Sequence, residues 1–134
     1  MASILRVDTL TDASSNNSIA TSFVAGGSAK AWANYSGTGT TFRDSFNCAS
    51  AVDNGTGNYD YNWTSNFSNE NYSFSGQASY INGANASVLI MAQKNESAYT
   101  TSINTSDLNI QCSNQDMTAT DAGCTTINAH GDLA

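Results

Sequence analysis

The stretch Asn58–Trp63, with the sequence NYDYNW, alternates polar and aromatic side chains at every position. Successive side chains of a β-strand point to opposite faces, so this pattern predicts a strand with Tyr59, Tyr61 and Trp63 on one face. The preceding residues 53–57, with the sequence DNGTG, are typical of a hairpin turn, because Asn, Asp and Gly tolerate positive φ. This part of the chain therefore predicts a turn that leads into a half-buried strand.

Further strands are predicted on both sides of this segment. Short apolar or alternating runs occur at 30–35, 42–48, 72–80, 87–93, 98–103, 108–112 and 125–133. Within 42–48, alternation places Asp44 on the same face as Phe42 and Phe46, where it either points inward and needs hydrogen-bond partners or lies at an edge of the sheet. Strands at intervals of roughly ten residues with turns between them are typical of sandwiches, and no segment combines a helical period with caps. We therefore predict an all-β fold at residues 29–134, an antiparallel β-sandwich or jelly-roll-like domain with almost no helix.

Residues 1–28 form a separate region that cannot build a core of its own. A partial alternation puts Leu5 and Val7 on one face, and residues 23–28 predict a short strand followed by a flexible Gly-Gly joint. We predict an extended N-terminal arm that anchors the chain and joins subunits. The candidate anchoring residues are Leu5, Val7, Leu10, Phe23 and Val24.

The charge of the chain argues against two classes of partner. Four Lys and Arg residues stand against eleven Asp and Glu, which gives a net charge of −7 at pH 7. A nucleic-acid binder needs a basic stripe and a membrane-surface protein needs a basic patch, whereas these four cations are scattered. No run approaches the roughly 20 apolar residues that span a bilayer. The opening residues include Arg6 and Asp8 and predict no signal peptide, so we expect synthesis in the cytoplasm.

The sequence offers little chemistry for catalysis or metal binding. His130 is the sole histidine, no cysteine lies in a nucleophile motif, and the carboxylates are spread singly. Three cysteines, Cys48, Cys112 and Cys124, have no metal-ligand spacing, and buried small side chains are favoured over a disulfide. We predict no enzyme, no cofactor and no metal site.

The aromatic stripe of residues 58–63 has two interpretations. Its rings can face the opposite sheet as core, which is the favoured interpretation. Alternatively they can form an exposed surface that stacks on sugars or anchors a protein interface. The candidate ligand contacts under this second interpretation are Trp32, Tyr59, Tyr61 and Trp63.

Three parts of the sequence resemble one family. They are the opening MASILRVDTL at residues 1–10, the series KAWANYSGTGT at 30–40, RDSFN at 43–47 and DNGTGNY at 53–59, and the ending HGDLA at 130–134. The chain resembles the tail-fibre and appendage virion structural proteins of marine, cyanophage-like tailed bacteriophages. This resemblance implies a β-rich homotrimer with an N-terminal arm attached to the particle, and it carries no active-site residues.

From this resemblance we expect a virion protein of a tail appendage or the capsid surface. It would be a short fibre or appendage module that attaches through its arm and displays the β domain for host contact. The alternatives are a capsid-surface decoration protein, cement or head-fibre, that stabilises the shell, and a glycan-binding receptor-recognition module. The expected partners are further copies of the chain, other virion proteins of tail or capsid, and a host-surface glycan or envelope protein, without nucleic acid or membrane insertion.

Overall fold

The computed structural model describes residue 4 and residues 6–79, 90–93, 103–114, 116 and 118–134. The strands in this part of the chain are β1 Thr9–Thr11, β2 Ser18–Ala20, β3 Ala31–Ser36, β4 Thr41–Phe46, β5 Cys48–Asp53, β6 Asn58–Trp63, β7 Ser73–Ser79, β8 Ile90–Gln93, β9 Asp107–Ser113 and β10 Cys124–His130. One helix, α1, spans Thr21–Gly27. Of the strands predicted at 87–93 and 98–103, only residues 90–93 and 103 are among the described residues.

Eight of these strands form two four-stranded sheets. The first sheet has the order β4-β3-β10-β7, and the second sheet has the order β5-β6-β9-β8. Every ladder in both sheets is antiparallel. The two sheets pack on each other around one hydrophobic core. The prediction of an all-β antiparallel sandwich is therefore confirmed.

The core combines small side chains of the first sheet with large side chains of the second. The buried residues of β3 and β10 are Ala31, Ala33, Tyr35, Thr125, Ile127 and Ala129, and those of β6 and β9 are Tyr59, Tyr61, Trp63, Leu108, Ile110 and Cys112. The alanines leave volume for the aromatic rings, as close packing requires. Tyr35 meets Tyr59 and Tyr61 edge to face, with ring centroids 5.8 and 6.0 Å apart.

The chain crosses from the first sheet to the second at Asn47. The sequence predicted one strand over residues 42–48, but β4 ends at Phe46 and β5 begins at Cys48 in the other sheet. Asn47 makes this corner with a φ of 52°, a backbone conformation that Asn tolerates better than most residues. Its side chain accepts a hydrogen bond from Ser65 N–H at 2.7 Å and donates one to Ser65 O at 3.1 Å. These two bonds hold the corner against the following loop.

A β-bulge in β4 reverses the predicted direction of the residues after it. The register against β3 shifts between Phe42 and Asp44, which leaves Arg43 as an extra residue. Phe42 packs inward against Tyr35 at a ring separation of 5.7 Å, whereas Asp44 is exposed and Phe46 is 53% exposed. The alternative in which Asp44 points inward is wrong, because a period of two cannot register an extra residue.

The first 28 residues contain a hairpin and a helix. Strands β1 and β2 pair with each other as a two-stranded sheet, and α1 follows β2 directly. The strand predicted at Phe23 and Val24 is wrong, since both residues lie in α1. The N–H of Thr21 donates to Asp8 O at 2.9 Å, which holds the start of the helix against the chain before the hairpin. A helix this short completes about two turns, too few for a helical period to show in the sequence.

Candidate functional site

The aromatic stripe of β6 belongs to the core. Tyr59 and Tyr61 are fully buried, and Trp63 is 5% exposed. Tyr59 Oη accepts a hydrogen bond from Ala122 N–H at 3.0 Å, Tyr61 Oη pairs with Thr125 Oγ1, and burial raises the pKa of Tyr59 to about 12. The alternative in which these three rings form a ligand-binding surface is wrong. Alternation shows which residues share a face, but it does not show which face is buried.

Trp32, the fourth aromatic candidate, lies on the outer face of the first sheet and is 37% exposed. Backbone pairing places it in one of two adjacent rows that cross β4, β3, β10 and β7. The rows are Phe46, Trp32, Asn128 and Ser75, and beside them Asp44, Asn34, Thr126 and Gln77. We call these eight residues the outer-face rows. They combine two exposed aromatic rings with amide and hydroxyl groups, and Asp44 is the one charged residue among the eight.

A shallow depression lies at the β10–β7 end of the outer-face rows. Its volume is about 390 Å³, and its lining residues are Ser75, Gly76, Gln77, Thr126, Ile127 and Asn128. Ile127 is buried in the core, and its ladder partner Gly76 has no side chain. At the outer surface these two residues therefore expose only backbone atoms. The side chains around them are all polar and uncharged.

The polar groups around the depression keep hydrogen-bonding capacity for a ligand. Ser75 Oγ donates to Asn128 Oδ1 at 2.7 Å, which leaves the Asn128 Nδ2 group as a donor. Between described residues, no side-chain hydrogen bond engages Gln77 or Thr126. A carboxamide both donates and accepts, so this surface can bond to hydroxyl groups in either direction.

The described candidate anchoring residues of the arm are all exposed. Val7, Leu10 and Val24 are 40%, 43% and 43% exposed, and Phe23 is 74% exposed. Leu5 lies outside the described residues. No residue of α1 is buried. The described apolar side chains of the arm are therefore accessible to solvent.

Among the exposed apolar residues that the sequence analysis did not single out, Ile19 lies in the arm hairpin and Phe46 lies in the outer-face rows. Ile19 is the ladder partner of Leu10 in the β1–β2 hairpin and shares its exposure, and its place in the polar run before residue 23 concealed it. Phe46 was assigned to the core because the bulge at Arg43 has no signal in the apolar pattern. The ladder pairing of Phe46 with Trp32 is visible in the structure alone.

The cysteines are free thiols. Cys48 and Cys112 are buried, and burial raises the pKa of Cys48 to about 12 and that of Cys112 to about 11. The prediction of buried small side chains is confirmed for these two. Cys124 is half-buried on the outer face of the first sheet, where its Sγ donates to Asn34 Oδ1 at 3.2 Å. A thiol that stays protonated at neutral pH is a poor nucleophile, so Cys48 and Cys112 are structural.

On the second sheet, the carboxylate of Asp60 is occupied by hydrogen bonds from other side chains of the chain. Asp60 accepts hydrogen bonds from Asn54 Nδ2 at 2.6 Å and from Asn109 Nδ2. His130 is half-buried at the end of β10. The described residues include no group of three or more His, Cys, Asp or Glu side chains arranged to hold a metal ion. Within the same residues, no helix has the length and apolar character needed to cross a membrane.

The ending that contributed to the family resemblance is part of the sandwich. Leu133 forms an antiparallel bridge with Phe67. A Cβ at Gly131 would lie 2.5 Å from Tyr72 Cβ, so glycine is required for this close approach. The rings of Phe67 and Tyr72 stack at 4.1 Å. Residues 130–134 therefore close one end of the sandwich.

No family model, curated protein or solved structure matches the chain at a significant level. The resemblance to phage appendage proteins stays a prediction that depends on the quoted stretches of sequence. The functional proposals below are supported by the chain's own residues.

Proposed function

We propose that the chain is a non-enzymatic virion structural protein of a tailed bacteriophage. It acts as a short fibre or appendage module that attaches to the particle through its N-terminal arm and displays the β-sandwich for host contact. The observation that carries this proposal is the concentration of exposed apolar side chains in the arm. Of the ten large hydrophobic residues that are exposed in the described part of the chain, six lie between residues 4 and 24.

The arm is suited to binding because its described residues add nothing to the core. Every residue of the core cluster lies at or after Ala31. A two-stranded hairpin is at best marginally stable in water by itself, so a surface that covers β1 and β2 would increase their stability. Contiguous exposed apolar surface on a folded protein marks a site of association. The ladder partners Leu10 and Ile19 supply such a surface, Phe23 adds an exposed ring on α1, and a virion protein or another copy of the chain would bury them.

The location of the chain on the particle tests the proposal. Antibody against residues 29–134 should label intact particles of the phage that encodes the chain, with gold at the tail or its appendages. Gold spread over the head would support the alternative of a capsid-surface decoration protein instead. Purified particles that lack the chain by mass spectrometry would overturn a virion role altogether. Particles that contain the chain but bind no gold would overturn the outward display of the sandwich.

We also propose that the chain is a homotrimer joined through the arm. The full chain should sediment as a trimer, and the double variant Leu10→Ser with Phe23→Ser should sediment as a folded monomer. Val52→Ser is the matched control, because Val52 is similarly exposed but lies on the sandwich. A stable monomer of the unmodified chain would contradict the trimer, and equal loss of assembly in the control would contradict the role of the arm.

A further inference from the structure

We propose that the outer face of the first sheet binds a neutral glycan, with Trp32 as the stacking platform and the adjacent depression as the hydrogen-bonding pocket. This inference deepens the proposed host contact by naming the ligand and the face that binds it. It is tested on the isolated protein, so its outcome is separate from the location of the chain on the particle.

The arrangement of the platform and the pocket is set by the ladder. Trp32 on β3 is the partner of Asn128 on β10, and Asn128 is the partner of Ser75 on β7. Neighbouring strands lie about 4.8 Å apart, so these three residues span about 10 Å along one row. A short oligosaccharide fits this length, with one ring on the indole and the next unit over the depression.

The chemistry of the face matches a sugar. A pyranose ring presents C–H groups that pack on an aromatic ring, and Trp offers the largest such surface together with an N–H donor. The hydroxyl groups of the sugar both donate and accept hydrogen bonds. The carboxamides of Asn128 and Gln77 and the hydroxyl of Thr126 do the same. An apolar platform beside a few oriented polar groups is the usual composition of a small-molecule site.

The charge of the face selects neutral over acidic sugars. The outer-face rows contain no cation, and Asp44 places a carboxylate beside Asn34 in the second row. The chain as a whole has a net charge of −7. Sialylated, sulfated or uronic-acid glycans would be repelled by this field, whereas hexoses and N-acetylhexosamines would not.

The first experiment is binding of the full chain to an array of immobilised neutral and acidic oligosaccharides. We expect neutral glycans alone to bind. The best of them, as a free oligosaccharide, is then titrated by calorimetry against the unmodified chain and three variants. Trp32→Ala should weaken binding by about tenfold or more, as expected for loss of a central aromatic contact. Gln77→Ala, at an exposed position where folding is not at risk, should also weaken it, and Val52→Ala on the opposite sheet should not.

Tryptophan fluorescence gives a second readout in the same samples. The chain has two tryptophans, of which Trp32 is partly exposed and Trp63 is buried. Acrylamide should quench Trp32 in the unbound protein, and the bound oligosaccharide should protect it. Protection that rises with protein concentration in the absence of sugar would assign this face to a second copy of the chain and overturn the proposal. Failure to bind any neutral glycan, or unchanged binding by Trp32→Ala, would overturn it equally.

Discussion

The sandwich and the N-terminal arm place their large apolar residues in opposite ways. In the sandwich, Tyr59 and Tyr61 are fully buried, whereas Phe23 in the arm is 74% exposed. Both regions place such residues among Ser, Thr and Asn. The difference is that each four-stranded sheet has a second sheet to cover it, whereas no other described strand packs over the β1–β2 hairpin. The sandwich therefore buries its large apolar side chains within one chain, and the described part of the arm leaves its own exposed.

Truncating one aromatic ring in each region gives the largest expected difference. Tyr61→Ala leaves a cavity between the sheets and should lower the free energy of unfolding by about 3–5 kcal/mol. Phe23→Ala removes a ring of similar size from the surface and should change the stability of the monomer by less than about 0.5 kcal/mol. Denaturation in urea at a concentration where the protein is monomeric measures both. Comparable losses in the two variants would show that the arm packs on the sandwich.

Adding one methyl group separates the two regions by a smaller amount. A Cβ at Gly37 would lie 2.0 Å from the main-chain oxygen of Ala122, so Gly37→Ala should cost about 2–3 kcal/mol through forced backbone movement. Gly26 in α1 has no atom within 4 Å of its Cβ position, and Gly26→Ala should raise helix stability by up to about 1 kcal/mol. Thermal unfolding of the two variants tests the pair. An equally destabilised Gly26→Ala would mean that the helix is covered.

Polar atoms buried in the core of the sandwich need hydrogen-bond partners from the protein. Polar atoms in the arm are exposed, so water can supply their hydrogen bonds. Tyr61 Oη pairs with Thr125 Oγ1 in the core, so Tyr61→Phe strands a buried hydroxyl and should cost about 1–2 kcal/mol. Tyr35 Oη is buried without a partner among the described residues, so Tyr35→Phe should be neutral or stabilise by up to about 1 kcal/mol. Urea midpoints for the two variants should move in opposite directions or differ clearly. Equal losses would show that Tyr35 has a hydrogen bond in solution.

The sequence predicts the strands of the sandwich well where apolar and polar side chains alternate without interruption. Strand β6 illustrates this, because its aromatic alternation predicts the strand and the residues that share a face, and the structure shows that this face is buried in the core. The prediction fails at Arg43, where a bulge inserts an extra residue and shifts the alternation by one position. It also fails at Asn47, where the chain crosses from one sheet to the other. Both features depend on backbone geometry that apolar periodicity does not encode.

The candidate binding face could be predicted only in part. Trp32 was singled out as an aromatic residue, but its neighbours in the outer-face rows come from strands far apart in the sequence. Phe46 reaches this face through the bulge, and Asn128 and Ser75 reach it through ladder pairing of β10 with β3 and β7. Register between distant strands is set by the whole core rather than by local sequence. The outer-face rows are therefore assembled by the fold and cannot be predicted from any single sequence motif.

The smallest expected effect is a response of the arm to acid. Asp12 accepts hydrogen bonds from Asn17 Nδ2 at 2.8 Å, Ser14 Oγ at 3.0 Å and Asn16 N–H at 3.0 Å. These bonds, that from Asn17 foremost, hold the pKa of Asp12 below its ordinary value of 3.8. A carboxyl with a lowered pKa in the folded state stabilises that state above the unfolded pKa, and the contribution is lost as pH falls through the folded pKa. The β1–β2 turn should therefore loosen below about pH 4, while the sandwich stays folded.

An NMR titration from pH 6 to pH 2 separates the two regions. Amide shifts in the turn, at Asn16 and Asn17, should follow protonation of Asp12, and that of the buried Ile127, whose ladder partners Ala33 and Gly76 carry no carboxyl group, should not. Asp12→Asn serves as the control, because it cannot titrate and its turn shifts should stay constant over the same range. If the shift of Ile127 moved together with those of the turn, the arm and the sandwich would respond to acid as one cooperative unit. The arm would then be a part of the folded domain rather than a segment that unfolds independently of the sandwich.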